Sequence, residues 1–321
     1  MWPDQTLLDA LNDTVDSPSL HYCSHLTLIR ATGADTFAYL QGQLTCDLTA
    51  LKTGGHRPAM HLSLKGRGLF STRLFAVGDD IYLIVPKALV DTTITALTKY
   101  RLRAKVEFIH LDNAVITGIS SDLEALNWPD TSWPEAGMVT VTGDPGNAPP
   151  WALLRYPFTE HALLICTQAD AEKYWHDLGS NRQLGSSVSW ISEEIKAGEG
   201  WVLPGGEDHF LPQTLNFDVT GGVSFNKGCY TGQEVVARMH FKGKLKQRMQ
   251  HFTYTTDIEL NPGDTLRNAE GKSLGEVVMA AQGRPHRALA LLPQQLDEPL
   301  YFDNQDLDAS LAPLPYSLPW K

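Results

Sequence analysis

Apolar and polar positions along this chain alternate in short runs, not in long amphipathic stretches. Residues 26–31 read as a strand. Gly33-Ala34-Asp35 breaks it and leads into a short helix carrying Phe37, Tyr39 and Leu40, with Asp35 as its cap and Gly42 as its stop. Residues 62–75 form two strand-like runs interrupted by Lys65-Gly66-Arg67-Gly68, which predicts two strands joined by a hairpin-like turn. Residues 81–85 predict another strand and 89–97 a helix. Lys99, Arg101, Arg103 and Lys105 then alternate with other residues, predicting a strand with its cations on one face.

Residues 114–119 and 163–166 read as strands, and 169–178 as a helix with Tyr174 and Trp175. Between them, residues 127–150 hold Pro129, Pro134, Pro145, Pro149 and Pro150, a loop or linker with one short strand at 138–141. After Trp190 come a helix, the turn Leu203-Pro204-Gly205-Gly206 and a second helix. From Leu245 onward the pattern is short strands, including 275–279 and 288–291, with turns at Asn261-Pro262-Gly263-Asp264 and Glu270-Gly271. It predicts a small β-barrel. The whole is an α+β pattern of mixed α/β lobes with hairpins, without regular βαβ alternation. The boundaries read as a first lobe over 1–109, completed by 190–243, a second, ferredoxin-like lobe over 110–189, and the barrel over 244–321.

The 321 residues are 42% hydrophobic and 20% charged, ordinary for a soluble globular chain. No apolar run reaches the about 18 residues of a membrane helix. Met1-Trp2-Pro3-Asp4-Gln5 lacks the basic start of a signal peptide, so a cytoplasmic location is expected. Cys23, Cys46, Cys166 and Cys229 are far apart with no C-x-x-C, which fits a reducing compartment and argues against a zinc site or disulfide framework. A net charge of −11 argues against a general nucleic-acid binder. Locally, Arg238, Lys242, Lys244, Lys246 and Arg248 cluster, and with the stretch 99–105 they read either as sites for an anionic partner or as solvated faces.

The densest candidate chemistry is Lys227-Gly228-Cys229-Tyr230-Thr231-Gly232-Gln233-Glu234. Thr231 to Glu234 has the form of a capping box, which would start a helix running to about Phe241, with Gly243 as its stop. A helix N-terminus and Lys227 would both favour a Cys229 thiolate. The alternative is a small buried cysteine in a glycine-rich turn. No G-x-G-x-x-G, Walker A, H-E-x-x-H or G-x-S-x-G motif is present. Glu193-Glu194 and Asp79-Asp80 read as solvated surface, since neighbours in sequence diverge.

Gly33-Ala34-Asp35, Leu40-Gln41-Gly42-Gln43, Lys65-Gly66-Arg67, Ser224-Phe225, the octapeptide and Pro313 to Leu318 occur in the order and spacing of the YgfZ-type folate-binding proteins. The chain resembles that family over nearly its whole length. The resemblance implies a fold similar to the aminomethyltransferase of the glycine cleavage system, with three lobes around a central hole. It also implies tetrahydrofolate or a derivative as ligand, and support of iron–sulfur enzymes, among them a radical methylthiolase that modifies tRNA. Trp190 corresponds to a family tryptophan at the folate, or is a core anchor. Three positions depart from the pattern: Leu26 stands where relatives carry a tryptophan, Lys196 where they carry a glutamate, and Ser63 where they carry an aspartate.

The leading expectation is therefore a folate-binding accessory factor for iron–sulfur enzymes and, through them, tRNA modification. Cys229 would be its thiolate or transient cluster ligand, with no resident metal site. Lys227 would support the thiol, and Trp190, the Leu26 position, Tyr230 and Arg238 would lie about the folate. A folate-dependent aminomethyl transferase ranks below it, because Ser63 and Lys196 remove carboxylates needed for proton transfer. A direct tRNA-binding module is a third reading.

Overall fold

The computed structural model describes residues 8, 10–15, 18–120, 123, 133–142, 146, 148–179 and 182–320. The opening pentapeptide and much of the proline-rich stretch, Pro129 and Pro145 included, lie outside them. Three sheets organise the described chain.

The first has five strands, β2 (Leu26–Thr32), β3 (Arg57–Leu62), β4 (Gly68–Val77), β5 (Asp80–Pro86) and β6 (Glu107–Leu111), in the order β3-β4-β5-β2-β6. Helices α1 (Thr36–Gln41) and α2 (Val90–Thr98) lie against it. The second has six strands, β1 (Ser19–Tyr22), β7 (Val115–Ser120), β8 (Val139–Thr142), β9 (Trp151–Arg155), β10 (His161–Cys166) and β11 (Gln183–Gly185). Here β1 lies between β7, antiparallel, and β11, parallel. Helix α3 (Gln168–Gly179) belongs to this lobe.

The third sheet comprises β12 (Gln247–Tyr254), β13 (Thr265–Arg267), β14 (Ser273–Ala281), β15 (His286–Pro293), β16 (Tyr301–Phe302), β17 (Gln305–Asp306) and β18 (Ser310–Ala312). It is curled but open: β17 and β18 are its edges among the described pairings, so the expected barrel is a half-barrel. Two helices lie between β11 and β12 along the chain, α4 (Ser187–Lys196), which packs on β1, β14 and β15, and α5 (Gln233–Lys242).

Strand periodicity explains how the lobes join. Side chains one apart face opposite sides of a sheet. In β2, Leu26 and Leu28 enter one core while Ile29 and Ala31 enter another. In β10, Leu163 and Ile165 share the first of these cores, while Leu164 and Cys166 face a separate one. In β15, Leu289 joins it again while Ala288 and Ala290 face the half-barrel interior. All three sheets thus turn one face into a common core that also holds Trp190, Ile195 and Trp201. Each Leu or Ile buried there contributes about 1.5–3 kcal/mol.

Three local expectations are corrected. Residues 99–105 form no strand; the chain turns at Leu102 with φ 47° and is fastened where the Lys105 amide donates to Asp35 Oδ2 at 2.7 Å. That bond engages the Asp35 carboxylate, so Asp35 precedes α1 without capping it through its side chain. The capping box at Thr231 does not form either. The residue before α5 is Gly232, with φ 78° and no side-chain cap. A Cβ on Gly232 would lie 2.6 Å from Ser63 O and 2.9 Å from Leu62 Cβ, so the helix starts where the backbone fits against β3 and not where Thr231 could cap it.

Candidate functional site

The octapeptide loop is clasped to the β3–β4 turn. Gly66, with φ 74°, sits so close to α5 that a Cβ there would lie 2.7 Å from Val235 Cβ. Two glycine-bearing sequence motifs, Lys65-Gly66-Arg67 and the octapeptide, therefore meet because neither has a side chain at the contact. Within the loop Cys229 is exposed, whereas Cys23, Cys46 and Cys166 are buried in three different cores. Lys227 does not serve the thiol. Its Nζ donates to Leu44 O at 2.8 Å and Cys46 O at 2.6 Å, and burial lowers its pKa to about 8. Tyr230 is buried beside it, the Lys227 ammonium 5.3 Å from its ring centroid. Arg238, Lys242, Lys244 and Lys246 are exposed. Arg248 is not among them. It is buried and forks onto Asp218 at 3.0 and 2.8 Å.

Helix α4 carries the second group of candidates and presents two different faces. Trp190 and Glu194, four apart, face the common core. Trp190 is 0% exposed. Its ring lies 5.3 Å from that of His21, 5.8 Å from His161 and 6.3 Å from Tyr156. It fills the space over Gly118, where a Cβ would come within 2.2 Å of the indole. This is the anchor role; a ring closed on all sides offers no face to a ligand, and Leu26 is buried likewise.

Glu193 and Glu194 are buried, contrary to the solvated surface expected of them. Glu194 accepts from Trp201 Nε1 at 3.1 Å. Burial alone would raise Glu193, but His161 Nε2 at 2.9 Å and Lys196 Nζ at 2.6 Å bring its pKa down to about 2. Nearby, Arg73 is buried in a strand, 2.6 Å from Glu199 and stacked over Tyr156 at 4.3 Å.

The other face of α4, Ser189, Ser192 and Lys196, borders a recess of about 380 Å³. Gln183 of β11 and Asp13 to Val15 form one wall, and residues 282–285 with Arg287 of β15 the other. The recess thus lies between the second and third lobes. Lys196, Arg284 and Arg287 give it three cations, and Ser189, Ser192, Gln183 and Gln282 add neutral donors and acceptors. Its acid, Asp13, accepts from Ser186 Oγ at 2.5 Å. Ser189 is backed by His21 Nδ1 at 2.9 Å, and burial holds His21 neutral with a pKa of about 3. The volume falls within the about 300–1,000 Å³ of small-molecule sites. Among the described residues no group of three or more His, Cys, Asp or Glu side chains is arranged to hold a metal ion. No helix among them is long and apolar enough to cross a membrane.

Comparison with known proteins places this architecture. No family model matches the chain. The tRNA-modifying protein YgfZ of Klebsiella pneumoniae is 31% identical over 306 residues, covering 91% of this chain and 90% of its own. The chain belongs to the YgfZ family. The YgfZ of Aliivibrio fischeri is 30% identical over 323 residues, 98% of each chain. Among solved structures, the glycine cleavage system aminomethyltransferase T from Bartonella henselae superposes with a TM-score of 0.72 over 96% of this chain and 89% of its own. At 17% identity that likeness concerns the fold. Both agree with the resemblance read from the motifs.

The residues picked out from sequence do not converge on one spot in this YgfZ-family chain. None of Lys227 to Glu234 lines the recess, and neither does Trp190 or Leu26. Lys196, noted as a departure, does. Arg284 and Arg287 were missed, although Gly283-Arg284-Pro285-His286-Arg287 is a visible cationic turn. Arg73 was missed too, and its signal was a lone charge inside an apolar strand. Ser63 holds Asp208 through its hydroxyl at 2.5 Å, beside the turn and away from the recess.

Proposed function

We propose that this protein is a folate-binding accessory factor in tRNA modification, with the folate held in the recess between α4 and residues 282–287. The observation that carries this reading is the triad of cations at the recess, Lys196, Arg284 and Arg287, in a YgfZ-family chain with an aminomethyltransferase-like fold. The lining fits such a ligand. Its guanidinium and ammonium groups suit the carboxylates of a glutamate tail. Its serine hydroxyls and glutamine amides suit the donor and acceptor edges of a pterin and its amide link. A bound folate would supply one-carbon carriage. The chain's own residues hold and orient it: Ser189 and Ser192 from the helix, Arg284 and Arg287 from the facing turn and strand.

The aminomethyl transferase reading draws less from this lining. Asp13 is engaged by Ser186, and Glu193 is bound by His161 and Lys196. Both carboxylates are committed to structural hydrogen bonds, so neither is available to move a substrate proton. Support of iron–sulfur clients belongs to the same proposal, with the exposed Cys229 as the group that meets them.

The test is calorimetric titration of the protein with tetrahydrofolate under anaerobic conditions, repeated on R284A/R287A. A hydrogen bond to a charged group contributes about 1.5–3 kcal/mol, so losing one or both guanidiniums should weaken binding about tenfold or more. Binding unaffected by the double variant, or none in a folded sample, refutes the placement.

A further inference from the structure

The far end of α5 carries a surface that the recess does not explain. Glu234, Arg238, Phe241 and Lys242 share one exposed face of this helix at i, i+4, i+7 and i+8. Phe241 is 71% exposed, among the largest apolar exposures in the described chain. It is not a stray ring. Phe225 and His240 stack at 3.7 Å with their planes 19° apart. Phe241 stands edge-on to both, 4.8 Å from His240 and 6.4 Å from Phe225. Phe225 packs in turn on the common core, so the outer ring is braced from beneath.

Beyond Gly243, where the chain leaves the helix in extended conformation, Lys244 and Lys246 project outward on either side of the partly buried Leu245. Arg238, Lys242, Lys244 and Lys246 take part in no ion pair among the described residues. Glu234 is the one acid on this helix face. All this stands on a chain of net charge −11.

We infer that this face, Phe241 with Arg238, Lys242, Lys244 and Lys246, is a docking surface for single-stranded RNA. A braced, exposed ring beside unpaired cations suits a partner with both planar faces and regularly spaced negative charge. Unpaired nucleotides present both: their bases stack on aromatic side chains while their phosphates meet cations. In a duplex the base faces are occupied by neighbouring pairs, leaving Phe241 nothing to stack on. The net charge of the chain opposes a polyanion, so docking needs a local cluster of cations such as this one. The inference extends the tRNA part of the proposed function by giving the protein a direct contact, and it stands apart from the recess.

Fluorescence anisotropy with a labelled single-stranded RNA 12-mer and an in-vitro tRNA transcript, from 50 to 200 mM KCl, tests it. Both probes should bind, with log affinity falling against log salt at a slope of about −3 for four neutralised phosphates of a single strand. F241A should weaken binding by about 5- to 150-fold, the range for loss of one base–aromatic stack, and leave the slope in place. K242E/K244E should flatten the slope by more than about 1. Phe241 is so exposed that its removal leaves the core intact, and a thermal melt of F241A verifies this. R284A/R287A should bind RNA as the parent does, so failure of the folate placement leaves this result standing. No binding at 50 mM KCl, or affinity unchanged by F241A, overturns the inference. So does a blunt RNA duplex binding as tightly as the 12-mer, or a poly-glutamate peptide of equal charge displacing the RNA equally well; the latter would assign the face to an acidic protein.

Discussion

Replacing Trp190 with alanine separates the anchor role from a ligand-contacting one. The indole is wholly enclosed by His21, Tyr156, His161 and the backbone of Gly118. Truncating a buried tryptophan to alanine costs about 3–5 kcal/mol, and the cost rises when the surroundings cannot collapse into the hole. Gly118 has no side chain with which to fill it. Against this, the indole Nε1 is buried without a hydrogen-bond partner. Removing it relieves a penalty of about 1–3 kcal/mol. The net expectation is a loss of about 2 kcal/mol, and at most about 4. At about 2.1 cal/mol/K per residue, 321 residues give an unfolding entropy near 0.7 kcal/mol/K, so Tm should fall by about 3 °C, and at most about 6 °C. Trp190→Phe keeps most of the buried ring and discards the N–H, so it should stay within about 1.5 kcal/mol of the parent. Urea denaturation and a thermal melt give the stabilities. Titration with tetrahydrofolate at 15 °C, where both variants stay folded, gives the affinity. W190A should be clearly less stable yet bind within about threefold of the parent, since the ring does not line the recess. Unchanged stability with lost binding would refute this reasoning and return Trp190 to the ligand.

Further outcomes follow from other contacts. Burial holds His21 and His56 neutral with pKa values of about 3, whereas in the unfolded chain they titrate near about 6.5. The unfolded state therefore binds more protons between those values, and stability falls as pH drops through that window, by about 2.7 kcal/mol per pH unit for the pair near pH 5. Urea midpoints at pH 7, 6 and 5 check this, and a flat profile would contradict it. Gly232→Ala places a Cβ 2.6 Å from Ser63 O at φ 78° and should cost about 1–3 kcal/mol, read as a lower urea midpoint. Arg248→Ala leaves the partly buried Asp218 carboxylate without its partner and should cost up to about 3 kcal/mol. Native protein should release one equivalent of thionitrobenzoate from Ellman's reagent, from Cys229, and four after unfolding; more than one at once would mean the buried thiols are open.

Much of the fold was legible because strand alternation and turn glycines are local signals. The hairpin at Gly66, the α1 stop at Gly42 and the strand 81–85 all rest on residues close in sequence. The caps failed for a non-local reason. Asp35 and Thr231 are good capping residues, but the Lys105 amide took the one and the close approach of Ser63 displaced the start of the helix from the other. The acidic pair Glu193-Glu194 was misread for the same cause: their partners, His161 and Trp201, arrive from elsewhere in the chain. The motif itself was visible as a specific string, yet its chemistry was not. Lys227 looked like the thiol's neighbour by sequence and proved to be a tie between the loop and the carbonyls of Leu44 and Cys46. The recess was illegible because its cations come from α4 and from a turn some 90 residues later, joined only when the third sheet packs on the second.

The place of β1 imposes an order on biosynthesis. Ser19–Tyr22 leaves the ribosome early, but its parallel neighbour Gln183–Gly185 emerges about 160 residues later. At about 5–20 residues per second that is a wait of roughly 8–32 s. Meanwhile the first sheet, complete by Leu111, can close alone. Once β7 has paired with one side of β1, a nascent chain of this protein therefore still carries β1 with its other edge open until β11 arrives. Such an edge is a template for the wrong pairing, so the early segment is where a trigger-factor-type chaperone has most to protect.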